Sequence, residues 1–137
     1  MKSLYLAAFC AVLLSCSKRS DLSTIQNSGT TLEGTWKWAR TDGGIGNHIH
    51  ETPASTGKNI DLVLTNDHYS IYTNGSLTSQ GVYTLESRNC IHDNTTKPVI
   101  NFSSPEDADM MIETLNGLVM ELSNDVYDGT KSIYSKN

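Results

Sequence analysis

Short segments of alternating apolar and polar residues, separated by turn residues, follow one another along most of this 137-residue chain. A period of two is typical of β-strands that bury one face. The pairs Asn74-Gly75 and Asn116-Gly117 favour tight hairpins, because both positions of such a turn take positive φ. No segment beyond residue 31 has a sustained helical period. About eight strands at intervals of roughly 8–12 residues predict an antiparallel sandwich or barrel.

The first predicted strand, residues 32–40, contains both tryptophans of the chain. Alternation places Trp36 and Trp38 on one face, which we expect to point into the interior. Residues 97–102 leave two registers open, one with Val99 inward and one with Ile100 inward. The same phase along the other strands predicts an interior formed by Ile60, Leu62, Leu64, Tyr69, Ile71, Tyr83, Leu85, Met110, Ile112, Leu118, Met120 and Leu122.

The N-terminus has the pattern of a secretion signal. A positive residue precedes an apolar stretch, residues 4–14, that is too short to span a bilayer. The sequence Leu-Leu-Ser-Cys that ends at Cys16 resembles the lipobox of bacterial lipoproteins. The resemblance implies cleavage before Cys16 and acylation of that cysteine, and several acyl chains such as palmitate give a stable membrane anchor. The alternative is an ordinary signal peptide with a chance cysteine.

These features divide the chain into a lipoprotein signal peptide (1–15), a flexible tether (16–31) and a β-barrel domain (32–137). The tether is polar and has no strand or helix period. Its first residues are mostly basic, whereas an acidic run in this place can direct surface export of Bacteroidetes-type lipoproteins. We therefore expect a lipid-anchored protein of the bacterial cell envelope, attached to the outer membrane and facing the periplasm.

The order of short motifs in residues 32–136 resembles that of the lipocalins and the wider calycin group, and specifically of small lipocalin-like lipoproteins of Bacteroidetes. The first strand carries Gly34-Thr35-Trp36, which matches the lipocalin Gly-x-Trp. The resemblance implies an all-β, antiparallel, up-and-down eight-stranded barrel. The other matching positions, in chain order, are Leu32, Gly43-Gly44, Tyr69, Tyr72, Asn74-Gly75, Gly81, Tyr83, Tyr134 and Lys136.

The resemblance also assigns roles to the first and last strands. In lipocalins the tryptophan plugs the closed end of the barrel, and an arginine from the last strand lies across its ring. Trp36 stands in the first of these positions, and Lys136 stands where the arginine would be, which keeps the charge but loses the planar stack. An eight-stranded barrel is wide enough to hold one small ligand or to be filled by side chains. The side chains expected to line a ligand are Trp38, Leu62, Tyr69, Ile71, Tyr83 and Met120.

The sequence offers few groups for catalysis or for a cofactor. His48 and His50 form a His-x-His pair, which on a strand would point both rings in one direction, as some zinc sites require. A solvated polar loop accounts for them as well, so we predict no metal and no cofactor. No phosphate-binding loop or nucleophile elbow is present, and we predict that the protein is not an enzyme.

Cys90 is the single cysteine left once Cys10 departs with the signal peptide and Cys16 is acylated. We expect it to be buried, which is the commoner fate of an unpaired cysteine. A free thiol, or a nucleophile assisted by nearby His92, stays open as an alternative.

The formal charge of −5, with no run of Lys or Arg, excludes nucleic acid as a partner, because affinity for phosphate backbones needs clustered positive charge. The function predicted from the sequence is non-catalytic binding of a small, mostly apolar ligand by a membrane-anchored barrel. The alternative is a structural or interaction lipoprotein with a filled barrel, in which the loop of residues 43–57 would meet a protein partner whose identity the sequence does not give.

Overall fold

The structure is a computed structural model that describes residues 31–136, in which β-strands predominate. The predicted signal peptide, Cys16 and nearly all of the predicted tether lie outside these residues. The strands are β1 (Gly34–Gly43), β2 (Ile49–Glu51), β3 (Ile60–Thr65), β4 (His68–Thr73), β5 (Ser76–Asn89), β6 (Thr96–Phe102), β7 (Met110–Leu115), β8 (Val119–Ser123) and β9 (Thr130–Lys136).

Eight of these strands close into an antiparallel barrel. Each strand from β3 to β8 pairs with the next one along the chain, and β1 pairs with both β3 and β9. The short strand β2 pairs with residues 41–43 of β1, outside this ring. The structure thus confirms the predicted all-β, up-and-down, eight-stranded barrel of lipocalin-like architecture.

Residues 41–59, predicted to be a loop, contain more structure than expected. Strand β1 continues to Gly43, and a 3₁₀ turn (Ile45–Asn47), β2 and the one-turn helix α1 (Pro53–Thr56) follow. Thr52 caps α1 by accepting the Ser55 N–H at 3.1 Å, and the Ser55 hydroxyl oxygen accepts the Thr52 N–H at 2.9 Å. A Thr-Pro-x-Ser capping box is a local signal, so this helix was readable without a helical period.

The barrel interior holds the main core, and it resolves the register of β6. Ile100 is completely buried there and Phe102 packs against it, so the second of the two registers is the correct one. The buried members of this core are Leu32, Trp36, Leu62, Leu64, Tyr69, Tyr83, Ile100, Ile112, Met120 and Leu122.

A second, smaller cluster consists of Cys90, Val99 and Met111, and we call it the outer cluster. Val99 and Met111 are neighbours in sequence of the inward-facing Ile100 and Ile112, so they face away from the interior. The loop after β5 folds back over them, and the Ile91 N–H donates to Asp125 Oδ1 at 3.0 Å. Cys90 is buried and unpaired within residues 31–136, as expected from the sequence.

The expectation that Leu118 faces the interior is wrong, since 68% of its surface is exposed. It follows the Asn116-Gly117 turn and precedes β8, and its carbonyl oxygen accepts the Lys136 N–H at 2.8 Å, so it lies at the tip of a hairpin and not inside the barrel. Leu115 packs against the core instead. A register shift between Ile112 and Thr114 explains this, because it changes which residues of β7 point inward.

Candidate ligand-binding site

Trp36 and Lys136 lie together near one end of the barrel, which we call the plugged end. Trp36 is completely buried, and its indole N–H donates to the Leu32 carbonyl oxygen at 2.7 Å. Lys136 lies opposite Trp36 in the β1–β9 register, with its ammonium nitrogen 4.6 Å from the ring centroid. The structure therefore places together the two residues that the sequence assigned to the plug.

Gly34 makes room for this arrangement. Its φ is +131°, and a Cβ there would lie 2.5 Å from Lys136 Cε, so a larger residue would collide with the lysine stem. The Lys136 ammonium donates to the carbonyl oxygens of Thr31 at 3.2 Å and Glu33 at 2.5 Å. The glycine of the Gly-x-Trp motif therefore leaves the space in which the Lys136 side chain lies over the Trp36 ring.

The other end, which we call the open end, contains a cavity of about 180 Å³. Leu64 of β3 pairs with Gly34 at the plugged end, whereas Ile60, at the start of β3, lines the cavity. Since a cavity near 150 Å³ holds benzene in another protein, this one has room for a ring-sized molecule. The lining residues are Ile60, Leu62, Ile71, Phe102, Glu106, Asp107, Ala108, Met110, Leu122 and Tyr134.

The loop between β6 and β7 brings Asp107 to the cavity, and hydrogen bonds from two other strands fix it there. Asp107 Oδ2 accepts the Tyr69 hydroxyl of β4 at 2.6 Å and also accepts a short hydrogen bond from the Ser79 hydroxyl of β5. The Tyr69 ring packs against Phe102 with 4.6 Å between centroids. A loop carboxylate is therefore held in a defined position at the wall of the cavity.

Gly81, opposite Tyr69 in the β4–β5 register, leaves space for the tyrosine ring. A Cβ at Gly81 would lie 3.0 Å from Tyr69 Cε1 and 2.4 Å from the Ser103 hydroxyl oxygen. Because the Ser103 hydroxyl accepts the Val82 N–H at 3.1 Å, it has a structural reason to stay where it is. Gly81 therefore supports the position of the loop carboxylate indirectly.

Tyr134 of β9 contributes a phenol to the cavity. Burial raises the pKa of Tyr134 to about 12, because the phenolate would lose its hydration. Within residues 31–136 no side chain or backbone group forms a hydrogen bond with its hydroxyl. At neutral pH the cavity therefore contains an uncharged hydroxyl that can donate or accept.

The side chains predicted to line a ligand are distributed over the interior. Leu62 and Ile71 line the cavity, and Tyr69 holds Asp107 as described above. Tyr83 and Met120 are buried in the main core, away from the cavity wall.

Trp38 is buried but is not among the cavity-lining residues. Its indole N–H donates to the Thr41 hydroxyl at 2.8 Å, and Thr41 is hydrogen-bonded to the Ser132 hydroxyl at 2.8 Å. This polar chain between β1 and β9 satisfies the indole within the fold.

The sequence did not assign Asp107 or Tyr134 to the ligand site. Asp107 comes from a loop of Ser and Asp residues that looks merely solvated, and only the fold shows which strands it reaches. Tyr134 gave a signal, since it is the aromatic residue of the last strand and was already matched to the lipocalin-like motif order.

His48 and His50 do not come together with further metal-binding groups. His50 Nδ1 lies 3.0 Å from Asp42 Oδ1, and this hydrogen bond is the main reason that the pKa of Asp42 is lowered. His48 Nδ1 contacts the carbonyl oxygen of Ile45. Among residues 31–136, no three side chains of His, Cys, Asp or Glu are grouped closely enough to hold a metal ion.

Comparisons of the chain with protein-family models, with curated protein sequences and with solved structures find no match. The class of the fold therefore rests on the strand order and closure of the barrel itself. In the described part of the chain, no helix has the length and apolar character needed to cross a membrane.

Proposed function

We propose that the protein is a membrane-anchored, lipocalin-like lipoprotein of the bacterial envelope that binds one small, mostly apolar molecule without catalysing a reaction. The observation that supports this function is the apolar cavity of about 180 Å³ at the open end of the barrel. The lipobox that ends at Cys16 supports the anchoring, and the motif order of residues 32–136 supports the lipocalin-like class.

The size of the cavity sets the size of the ligand and its affinity. A ring-sized molecule has too few atoms for tight binding, and ligand efficiencies of small molecules give a Kd of about 1 µM to 1 mM. A long acyl chain would not fit. The proposed ligand is thus a compact molecule and not a membrane lipid.

Native mass spectrometry of purified protein, mixed with the small-molecule fraction of a host extract because a ligand of this affinity is lost on purification, tests the proposal directly. We expect a bound species of low mass, which disappears in the variant Ile71→Trp, because the added indole would occupy the cavity. Tyr127→Trp is the matched control, since Tyr127 is 85% exposed on the outer surface. Protein that is always empty, and whose amide NMR spectrum does not respond to toluene, would contradict ligand binding.

The membrane anchor has its own test. We expect Cys16→Ser to abolish labelling with radioactive palmitate and to release the protein from the membrane fraction, whereas Cys90→Ala should leave both unchanged. Retention of the label in Cys16→Ser would rule out the proposed anchor without affecting the ligand proposal.

A second candidate function, contact with a protein partner, is favoured by apolar side chains on two adjacent outer loops. Val126 and Tyr127 are 53% and 85% exposed, and the His92 ring meets Tyr127 edge-on with 6.3 Å between centroids. His92 Nε2 also lies 3.1 Å from the Val126 carbonyl oxygen, which joins the two loops. A photo-crosslinker at Tyr127 in intact cells should capture one specific product, and one at exposed Leu77 should not. If the crosslinker at Tyr127 gives no product either, this candidate function is eliminated.

A further inference from the structure

We propose that the ligand of the open-end cavity is a small organic amine, bound as an ammonium ion whose apolar body fills the cavity and whose charge lies against Asp107. The inference rests on the proposed ligand-binding function and adds the chemical class of the ligand.

The charges of the cavity wall all have one sign. Glu106 and Asp107 are the two carboxylic acids among the lining residues, and Lys, Arg and His are absent from that set. Opposite charges attract more strongly at an apolar surface than in bulk water, and like charges repel for the same reason. A cavity of this kind disfavours a carboxylate ligand and favours a cation.

Asp107 has unused capacity as a hydrogen-bond acceptor. Its two donors, Tyr69 and Ser79, both bind Oδ2. Within residues 31–136, Oδ1 has no hydrogen-bond donor, and no basic side chain forms an ion pair with Asp107. Its neighbour Asp109 differs, because Arg88 lies 3.2 Å from it. The charge of Asp107 is therefore held in place by neutral hydroxyl groups and left without a counterion.

Tyr134 adds a neutral acceptor to the same cavity. Its phenol stays protonated at physiological pH, so it adds no negative charge but offers an oxygen lone pair to an ammonium N–H. The apolar part of the wall includes Phe102, whose ring face can also attract a cation. A compact aromatic or branched alkyl amine matches these groups in size and in polarity.

The test compares three probes of nearly equal size and different charge: 2-phenylethylamine, 2-phenylethanol and 3-phenylpropionate. Each is titrated into the ¹⁵N-labelled full-length protein in detergent, with the amide signals of residues 104, 106–110 and 134 as the readout. We expect the amine to bind about tenfold more tightly than the alcohol, which corresponds to one moderately screened charge pair. The carboxylate should not saturate the site.

Asp107→Asn removes the charge and keeps an oxygen that can accept from Tyr69 and Ser79. It should reduce the preference for the amine to about twofold or less. Glu33→Gln, at the plugged end, makes the same change in charge and should leave the preference intact. If Asp107→Asn does not fold, Glu106→Gln and a rise in salt concentration provide the same readout, since both should weaken the amine and spare the alcohol.

The outcomes separate the two proposals. Equal affinity for amine and alcohol, or tighter binding of the carboxylate, would overturn the amine class and leave ligand binding in place. If none of the probes binds and toluene does not bind either, the proposed function fails and the amine class fails with it.

Discussion

The plugged end and the open end of the barrel each combine an aromatic ring with a charged side chain, but in opposite ways. At the plugged end the indole of Trp36 is buried in the interior, and the Lys136 ammonium donates hydrogen bonds to two backbone carbonyl oxygens. At the open end the rings of Tyr69 and Phe102 pack on each other and leave about 180 Å³ empty. There the charge of Asp107 has no cationic partner within the described residues. The difference agrees with the proposal that the plugged end stabilises the fold and that the open end binds a ligand.

The strongest test of this contrast is Trp36→Ala. We expect the free energy of unfolding to fall by about 3–5 kcal/mol, because a fully buried indole leaves a large void. Urea denaturation followed by circular dichroism measures the loss, and Tyr127→Ala should change stability by less than about 0.5 kcal/mol. If Trp36→Ala is as stable as the wild type, the packing at the plugged end does not determine the stability of the fold.

A matched pair of enlargements compares the two ends directly. Leu64→Phe adds volume in the well-packed interior near the plugged end and should cost about 1–3 kcal/mol. Ile71→Phe adds similar volume beside the cavity and should cost less than about 1 kcal/mol, because the ring can enter empty space. Thermal unfolding of both variants gives the comparison. Equal losses would mean that the cavity is too tight to accept a side chain, and hence a ligand.

Lys136→Met should have a smaller effect. It removes the cation over Trp36 and the hydrogen bonds to Thr31 and Glu33, which together contribute about 1–2 kcal/mol at a partly exposed position. Lys136→Arg keeps the charge and should restore most of this stability in the same denaturation assay. A methionine variant as stable as the wild type would assign the plug to Trp36 alone.

The last expected effect is absent at neutral pH and concerns the open end at high pH. The pKa of Tyr134 is raised from 10.0 to about 12 by burial, so the folded protein retains this proton when the unfolded chain has lost it. The corresponding stability is present below pH 10 and is lost as the pH rises towards 12. Absorbance at the tyrosinate band should show a late step that is missing in Tyr134→Phe. A substitution that removes amplitude only from the ordinary step near pH 10 would place the phenol in water.

Much of this barrel was predictable because its information is local. Alternation identified the strands, and the two Asn-Gly pairs located hairpins whose asparagine or glycine takes positive φ, as at Asn74, Gly75 and Gly117. Which residues of β6 face the interior could not be predicted in the same way. Val99 is buried in the outer cluster and Ile100 is buried in the interior. Because both faces of the strand carry apolar residues here, alternation of polar and apolar residues does not show which face points inward.

The candidate site was less predictable than the fold, because it depends on contacts between distant parts of the chain. Asp107 is brought to Tyr69 across 38 residues of sequence, and nothing in its own loop indicates that partner. Trp38 was expected at the ligand because it lies on the inner face. The position of Thr41 beside Ser132, which satisfies the indole, follows from the pairing of the first and last strands and not from the sequence of either.

That pairing has a consequence for how the chain reaches its fold. The ammonium of Lys136 meets the carbonyl of Thr31 across 105 residues, and β9 closes the ring by pairing along both β1 and β8. Contacts between such remote segments make folding slow, because the chain loses the conformational entropy of a long loop before the favourable contacts between the strands form. Until β9 arrives, β1 and β8 are edges with unpaired backbone groups, which invite association with other chains. The time between synthesis of the first strand and docking of the last is therefore the period in which this protein is most exposed to aggregation.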